Sequence, residues 1–359
     1  MKKISMSAVG LDLGDRYSQI CGLDEGGRVV WKQRIRTWKE SLTKYFGPLP
    51  PTRVVIEVGS HSRWVSRHLE QLGHEVVVAN ARRLKFLSEN DYKNDKNDAE
   101  LLARLGRADP LLLRPIKHRS EQAHLDLTLI KSRDELVQSR TRLINHVRGV
   151  VKSFGGRLPS CSTASFHKHA LELMPAQLVD QLEPIVSAIN KMTHEIQRYD
   201  SKIREKSASY PEAQTFQTVT GVGPITSMCY LLTLEDPTRF ASPRNVGAYL
   251  GLVPRQDSSG GKDRECRITK AGDQYLRKLL LQVAHRIIGP FGGDCDLRDF
   301  GLRIFERGGN HGRQKAAVAV ARKLSVLLMT LWKSGGTYDP FYQRKQDANR
   351  KVYRLEEVV

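Results

Sequence analysis

The stretch Ala8-Val-Gly-Leu-Asp12-Leu-Gly14, then Ser18-Gln-Ile-Cys-Gly-Leu23 and the turn Asp24-Glu-Gly-Gly27, decides how the first third of the chain is read. Ala8–Leu13 and Ser18–Leu23 are short apolar runs closed by Gly and Asp, the pattern of two strands. Asp24–Gly27 tolerates tight-turn backbone, so a third strand from Arg28 folds back on the second. Arg53–Val58 and Glu75–Ala79 are β-branched runs of the kind buried on both faces of a sheet. Arg63–Leu72 and Asn97–Leu105 carry apolar residues at helical spacing. A β-meander followed by alternating strands and helices predicts an α/β domain over residues 1–116.

That order is the one expected of a ribonuclease H-like (RuvC-like) domain, and such a domain would gather four carboxylates of this chain. Asp12 lies in the first strand and Glu57 near the end of a later one, while Asp95 and Asp98 sit three apart at a helix start, on one face. Taken singly, each has an ordinary explanation: a strand-end acid, a partner for an Arg, a pair of helix caps. As an ordered set they read as candidate metal ligands, because converging carboxylates repel one another unless a cation offsets them. Oxygen ligands with open positions suit Mg²⁺. Two such ions about 3.5–4 Å apart can activate a nucleophile and stabilise the leaving oxygen in phosphoryl transfer. The phosphate-binding hairpin of sugar kinases and actins also opens with a DxG segment. It needs a second Gly-rich phosphate loop, which this sequence does not offer.

Charge points the same way. Over 359 residues, 58 Lys and Arg face 39 Asp and Glu, a net charge of +19. With a pI near 9.8, the favoured partner is a polyanion, nucleic acid first. Cys21, Cys161, Cys229, Cys266 and Cys295 form no CxxC pair and have no His at ligand spacing. Neither a zinc site nor a disulfide framework is expected, which suits a reducing cytoplasm. The N-terminus lacks an apolar run of signal-peptide length. Ala316–Trp332, interrupted by Arg322 and Lys323, predicts a buried helix rather than a membrane span.

Residues 117–210 read as helical. Leu129, Leu136, Leu143 and Val150 recur every seven residues, as do Ile130, Val137, Ile144 and Val151. A second segment alternates steps of three and four through Leu182, Ile185, Ile189, Met192, Ile196, Tyr199 and Ile203. These seams predict an antiparallel pair or a coiled coil between subunits, separated by a turn over Gly155–Ser165. Residues 211–340 read as a mainly helical domain with Gly-rich turns, and 341–359 as a polar tail. Thr220-Gly-Val-Gly-Pro224 resembles a helix–hairpin–helix turn, in which the amides of Gly221 and Gly223 could hold a phosphate. A plain Gly-rich helix start fits it equally well. Ala248-Tyr-Leu-Gly-Leu-Val-Pro-Arg-Gln-Asp-Ser-Ser-Gly-Gly261 ends in a Ser/Gly loop, and Arg255, Lys262, Arg264, Arg267 and Lys270 suit a phosphodiester.

Together these motifs resemble the DEDD-type insertion-sequence transposases, a group that includes Piv-like DNA invertases and bridge-RNA-guided recombinases. The resemblance rests on GLDLG with Asp12, IEVG with Glu57, and Lys93-Asn-Asp-Lys-Asn-Asp-Ala99. The last is similar to the family's K-T-D-x-x-D-A, with Asn94 in place of Thr. It implies a RuvC-like α/β domain followed by all-α domains, with Mg²⁺ held by Asp12, Glu57, Asp95 and Asp98. It further implies that Ser259 (or the adjacent Ser258) is a nucleophile joining DNA through a phosphoserine. The partners implied are element-end and target DNA, a noncoding guide RNA, and further copies of the chain as dimer or tetramer. Acids from one subunit would then meet the serine of another. The setting is a bacterial or archaeal cytoplasm, at the nucleoid and away from membranes. Two other readings compete: a Holliday-junction-type nuclease using only the acids and water, and a non-catalytic nucleic-acid-binding protein.

Overall fold

In a computed structural model of the chain, the described residues are 6–80, 95–259 and 262–346. They belong to two units, Met1–His118 and Arg119–Val359.

The first unit is built on one sheet of five strands. These are β1 (Met6–Asp12), β2 (Tyr17–Asp24), β3 (Val29–Arg36), β4 (Arg53–Glu57) and β5 (Glu75–Ala79), in spatial order β3-β2-β1-β4-β5. The meander pairs antiparallel, and β1, β4 and β5 pair parallel. Side chains alternate along a strand, so each strand feeds two layers. Val9, Leu11, Val54 and Ile56 pack on one face with Leu42 and Phe46 of α1 (Lys39–Phe46) and with Val65 and Leu69 of α2 (Ser62–Gln71). On the other face, Val55, Val77, Cys21 and Leu23 meet Ala99, Leu102 and Ala103 of α3 (Asp95–Ala108). Val54, Val55 and Ile56 are wholly buried, each contributing roughly 1.5–3 kcal/mol. The periodicity of Lys39–Phe46 gives α1 no clear signal, since only Leu42 and Phe46, one turn apart, are buried in it.

Gly10 decides where α3 lies. A Cβ there would stand 1.9 Å from the Ala99 carbonyl oxygen and 2.6 Å from the Ala103 nitrogen. Only glycine lets the helix backbone touch the sheet at this point. The far end of α3 is tied down by Arg53 Nη1, which donates to the Gly106 carbonyl at 3.1 Å. Arg104 Nη1 donates to the Gly27 carbonyl at 3.2 Å. The first turn of α3 therefore lies toward the carboxyl ends of β1 and β4.

The second unit begins with α4 (Glu121–Ser153) and α6 (Val179–Ala208), two long helices with α5 (Phe166–Leu173) between them in sequence. They run antiparallel within the chain: Arg133 Nε donates to Asp200 Oδ1 at 2.7 Å and Arg140 Nη1 to Thr193 Oγ1 at 3.2 Å, while Tyr210, just beyond α6, reaches Asp126 at 2.6 Å. The buried stripe of α6 is Leu182, Val186, Ile189, Thr193, Ile196, Ile203 and Ser207. Ile185, Met192 and Tyr199, read above as seam positions, are half-buried instead. Stepping by four after each heptad leucine or isoleucine, rather than by three, brings polar Thr193 into the seam, where it meets buried Arg140.

Helices α7 (Pro211–Gln217) and α8 (Pro224–Leu234), the short α9 (Asn245–Tyr249), α10 (Gln274–Ile288), α11 (Asp296–Arg307) and α12 (Gly312–Ser334) complete the unit. Helix α8 is buried from Thr226 to Leu234, and Tyr230 donates to the Ser325 carbonyl of α12 at 2.7 Å. Among the described residues no helix is long and apolar enough to cross a membrane. Cys21, Cys229 and Cys295 are buried free thiols and Cys161 is half-buried; the Cys266 side chain lies outside the described residues. Before the described residues end, Arg344 is held by Asp294 and Asp299, both at 2.6–2.7 Å.

Candidate active site

Two of the four predicted acids end neighbouring parallel strands. Leu11 is in register with Ile56, so Asp12 and Glu57 occupy the next positions on strands about 4.8 Å apart. Asp12 is two residues after Gly10, and Glu57 is two after Val55, which would contact a Cβ on Gly106 of α3. Both acids thus belong to the face covered by α3, and both are half-buried. Asp98 is half-buried in the first turns of that helix, one residue before Ala99. Asp95 is its first residue; the Asp95 side chain lies outside the described residues, as do Lys93 and Asn94. A helix N-terminus also carries partial positive charge, which offsets part of the repulsion among acids gathered there.

Among the described residues no cluster of three or more His, Cys, Asp and Glu side chains forms a ready metal centre. What the fold provides is a donor set of carboxylates on one face beside a helix N-terminus, and such oxygen donors fit a hard divalent cation. Behind the set, Glu100 ties α3 to β3 through Lys32 and accepts from Arg104 Nε at 2.8 Å. These two cations hold the Glu100 carboxyl below its usual range.

The loops that leave the two acids carry residues the sequence reading passed over. His61 Nε2 is 3.6 Å from Asp15 Oδ1, and His61 Nδ1 accepts from Trp64 Nε1 at 3.0 Å. Their signal was proximity: Asp15 follows Asp12 by three residues, and His61 follows Glu57 by four.

In the second unit, Ser258 and Ser259 do not lie in a loop. They end β6 (Pro254–Ser259), which pairs with β7 (Lys262–Ile268) in an antiparallel ribbon. Ser259 is in register with Lys262; Gly260 and Gly261, between them in sequence, lie outside the described residues. Side chains of residues 256–266, including Lys262 and Arg264, lie outside the described residues. Arg255, Arg267 and Lys270 are exposed at the ribbon's base.

That base is a latch of close backbone contacts. Lys270 N donates to the Gly251 carbonyl at 3.1 Å and Thr269 N to the Val253 carbonyl at 3.0 Å. Gly251, Lys270 and Gly272 have φ of 68°, 54° and 70°, the left-handed region that favours glycine. A Cβ on Gly251 would stand 2.2 Å from Ala271 N, and one on Gly272 2.2 Å from the Tyr249 carbonyl. Buried Arg277 donates from Nη1 to the carbonyls of Leu250 and Ala271 at 3.0 and 2.5 Å. The clue to Arg277 was a cation set among Leu276, Leu279, Leu280 and Val283, where an unpartnered charge would be costly.

The Gly221–Gly223 turn joins α7 to α8. It lines a concavity of about 400 Å³ with Arg286, Phe291 and Gly292–Gly293.

Residues 9–155 match a family model described as transposase, of DEDD type, and residues 213–291 match one described as transposase, IS116/IS110/IS902 family. The chain belongs to the IS110/IS116 family of DEDD transposases. It is 29% identical over 345 residues to the "Probable family 20 transposase" of Pseudomonas aeruginosa, covering 94% of this chain and 100% of that one. The transposase for insertion sequence element IS1111A of Coxiella burnetii is 27% identical over 348 residues, 94% of this chain and 92% of that one. The pilin gene-inverting protein of Moraxella bovis is 25% identical over 253 residues, 69% and 68% of the two chains. As a DNA transposase of the DEDD family, the chain has a divalent-metal-dependent chemistry. The first family model takes in the sheet, α3 and α4; the second takes in α7 through α10 with the ribbon and its latch.

Proposed function

We propose that this transposase cuts and rejoins DNA strands through a transient phosphoserine at Ser259, with Asp12, Glu57, Asp95 and Asp98 holding Mg²⁺ in a ribonuclease H-like (RuvC-like) domain. The observation that carries the reading is the placement of Asp12 and Glu57 at adjacent strand ends on the face of α3. The sheet order, an antiparallel meander continued by parallel strands, supports the RuvC-like assignment. Bound Mg²⁺ would supply positive charge to the phosphate in the transition state.

Ser259 Oγ attacks the phosphorus, an Oγ–P bond forms, and one bridging P–O bond of the strand breaks. The serine proton is given up to base, and the departing strand oxygen takes up a proton. Attack by a hydroxyl of a second strand on the phosphoserine reverses these steps and frees the serine. In the backbone register Ser259 is opposite Lys262 and Ser258 opposite Asp263, and the basic neighbour favours Ser259 as the residue that meets a phosphate. Arg255, Arg267 and Lys270 at the base, with Lys262 and Arg264 along the ribbon, hold phosphates. The amides of Gly221 and Gly223 take a further phosphate.

In this reading residues 1–116 are the acidic catalytic domain, 117–210 the helical dimerisation region, 211–340 the serine domain and 341–359 a polar tail. The acids of one subunit meet the serine of another in a dimer or tetramer. A noncoding RNA pairs with element-end and target DNA, so that base pairing supplies sequence choice. The protein works in the cytoplasm, at the nucleoid.

The test is a covalent adduct. Protein, Mg²⁺, element-end DNA and RNA from the element's flanking noncoding region are incubated and run on a denaturing gel. Wild type is expected to give a protein–DNA adduct that Asp12→Ala and Ser259→Ala both abolish. Cleavage that survives Ser259→Ala without any adduct would instead indicate a nuclease using the acids and water.

A further inference from the structure

Beside the ribbon's base lies a groove of about 1120 Å³, bounded by the latch, α11 and one flank of α12. Its cations are Arg244, Arg267, Lys270, Lys315, Arg322 and Lys323. Among the described residues no Asp or Glu lines it, and none of these six is paired with a carboxylate. Its floor is apolar, made by Leu252, Ile268, Phe300 and Val318. The Lys323 ammonium sits 4.4 Å from the Phe300 ring centroid, a cation–π contact that holds both groups at the groove wall. The Arg322 stem packs on Gly247, where a Cβ would stand 3.1 Å from Arg322 Cγ.

We propose that this groove binds an unpaired, single-stranded stretch of nucleic acid. Cations with no carboxylate to neutralise them call for a polyanion. A duplex would meet them with its backbone alone, its bases stacked inside, and would leave the apolar floor in water. An unpaired strand satisfies both surfaces: phosphates go to the cationic rim, and the bare faces of bases go to the floor and the Phe300 ring. A site engulfing one drug-sized molecule has about 300–1,000 Å³, so the groove accommodates a short run of linked nucleotides. Arg267 and Lys270 belong both to the ribbon's base and to the groove, which makes the groove continuous with the strand bearing Ser259. The biological role, keeping a strand unpaired next to the point of transfer, rests on the function proposed above; the binding itself does not.

The experiment therefore measures binding without catalysis. The probes are a fluorescent 12-nucleotide oligothymidylate and a 12-base-pair duplex of equal label, titrated with full-length protein over a salt series. Wild type is expected to prefer the single strand. The double variant K315E/R322E is expected to weaken single-strand binding about tenfold or more. It should also flatten the salt slope by about 1.4, two phosphate contacts at roughly 0.7 each. K315R/R322K should bind like wild type. Should charge reversal prevent folding, ultraviolet cross-linking of oligothymidylate to wild type, read by peptide mass spectrometry, replaces it, and adducts are expected within residues 300–326. Unchanged binding in the folded double variant would overturn the proposal, as would equal loss of duplex and single-strand binding. Protection of residues 311–326 on self-association, without any nucleotide cross-link, would also overturn it, giving the groove to a second copy of the chain. A groove that binds the strand while no phosphoserine adduct ever forms would leave this inference standing and remove the catalytic one.

Discussion

The acid-bearing sheet and the serine-bearing ribbon place the groups of the proposed mechanism in opposite ways. Asp12 and Glu57 are fixed by hydrogen-bonded neighbours on both sides, β2 and β5, and by a helix whose backbone rests on Gly10. Among the described residues Ser259 ends a two-stranded ribbon with no third strand, its base held by the Gly251–Gly272 latch. Isolated two-stranded ribbons are marginal in water. Convergent metal ligands tolerate little drift, because each misplaced carboxylate leaves a charge uncompensated. In the proposed mechanism a serine delivered to a second subunit needs reach more than rigidity. The difference teaches that the two halves should fail differently when perturbed.

The largest expected effect is on chemistry. Asp12→Asn keeps shape and removes charge, and it should lower strand cleavage by roughly a thousandfold or more if metal charge is what it supplies. Near-wild-type cleavage over a Mg²⁺ titration would break the acid side of the comparison. Ser258→Ala should keep the covalent adduct that Ser259→Ala loses; the reverse result on a denaturing gel would exchange the two serines.

Next in size is the seat of α3. Gly10→Ala drives a methyl into the Ala99 carbonyl and should cost about 1–3 kcal/mol of overpacking. Thermal melting should record the loss, and cleavage should fall with it. Gly59→Ala, with nothing within 4 Å of the added Cβ, should change neither and serves as control.

At the latch, Gly272→Ala combines left-handed strain with a backbone clash, worth about 1–3 kcal/mol. Because the ribbon alone depends on it, adduct formation should suffer more than global melting. An equal loss of both would show that the latch belongs to the core rather than to the ribbon.

The smallest expected effect lies behind the acids. Lys32 and Arg104 hold the Glu100 carboxyl below its usual range. A depressed carboxyl contributes stability above its unfolded pKa, and that contribution is lost as pH falls through the folded one. The Glu100 side chain is 22% exposed, so Glu100→Gln should cost at most about 1 kcal/mol at pH 7. The gap between the two melting curves should close at pH values below the carboxylate range. A gap that persists in acid would mean that Glu100 acts through packing and not through charge.

Much of the sheet was legible because its signals are local. Short β-branched runs between turn residues gave strands near Ala8–Leu13, Ser18–Leu23, Arg53–Val58 and Glu75–Ala79, and the structure moves their ends by one or two residues. Helix α1 escaped because two buried residues one turn apart make no recognisable period. The Ser/Gly stretch looked like a loop because its polar residues carry no alternation of apolar and polar; only pairing with Lys262–Ile268 makes it a strand. The α6 seam was misassigned by one step because heptad counting rewards apolar residues and overlooked Thr193, which is buried through its bond to Arg140.

What the sequence determined by itself is composition and order: candidate acids and serines, a surplus of cations, and the succession of strands and helices, since each follows from residue type and local spacing. What only the tertiary structure decided is adjacency. Asp12 and Glu57 become neighbours because parallel pairing brings residues 45 positions apart into register. Asp98 joins their face because Gly10 lacks a side chain. Arg244 and Lys323 share one groove because α9 packs on α12, where Gly247 leaves room for the Arg322 stem. Such long-range contacts depend on packing between segments distant in sequence, and no local pattern encodes them.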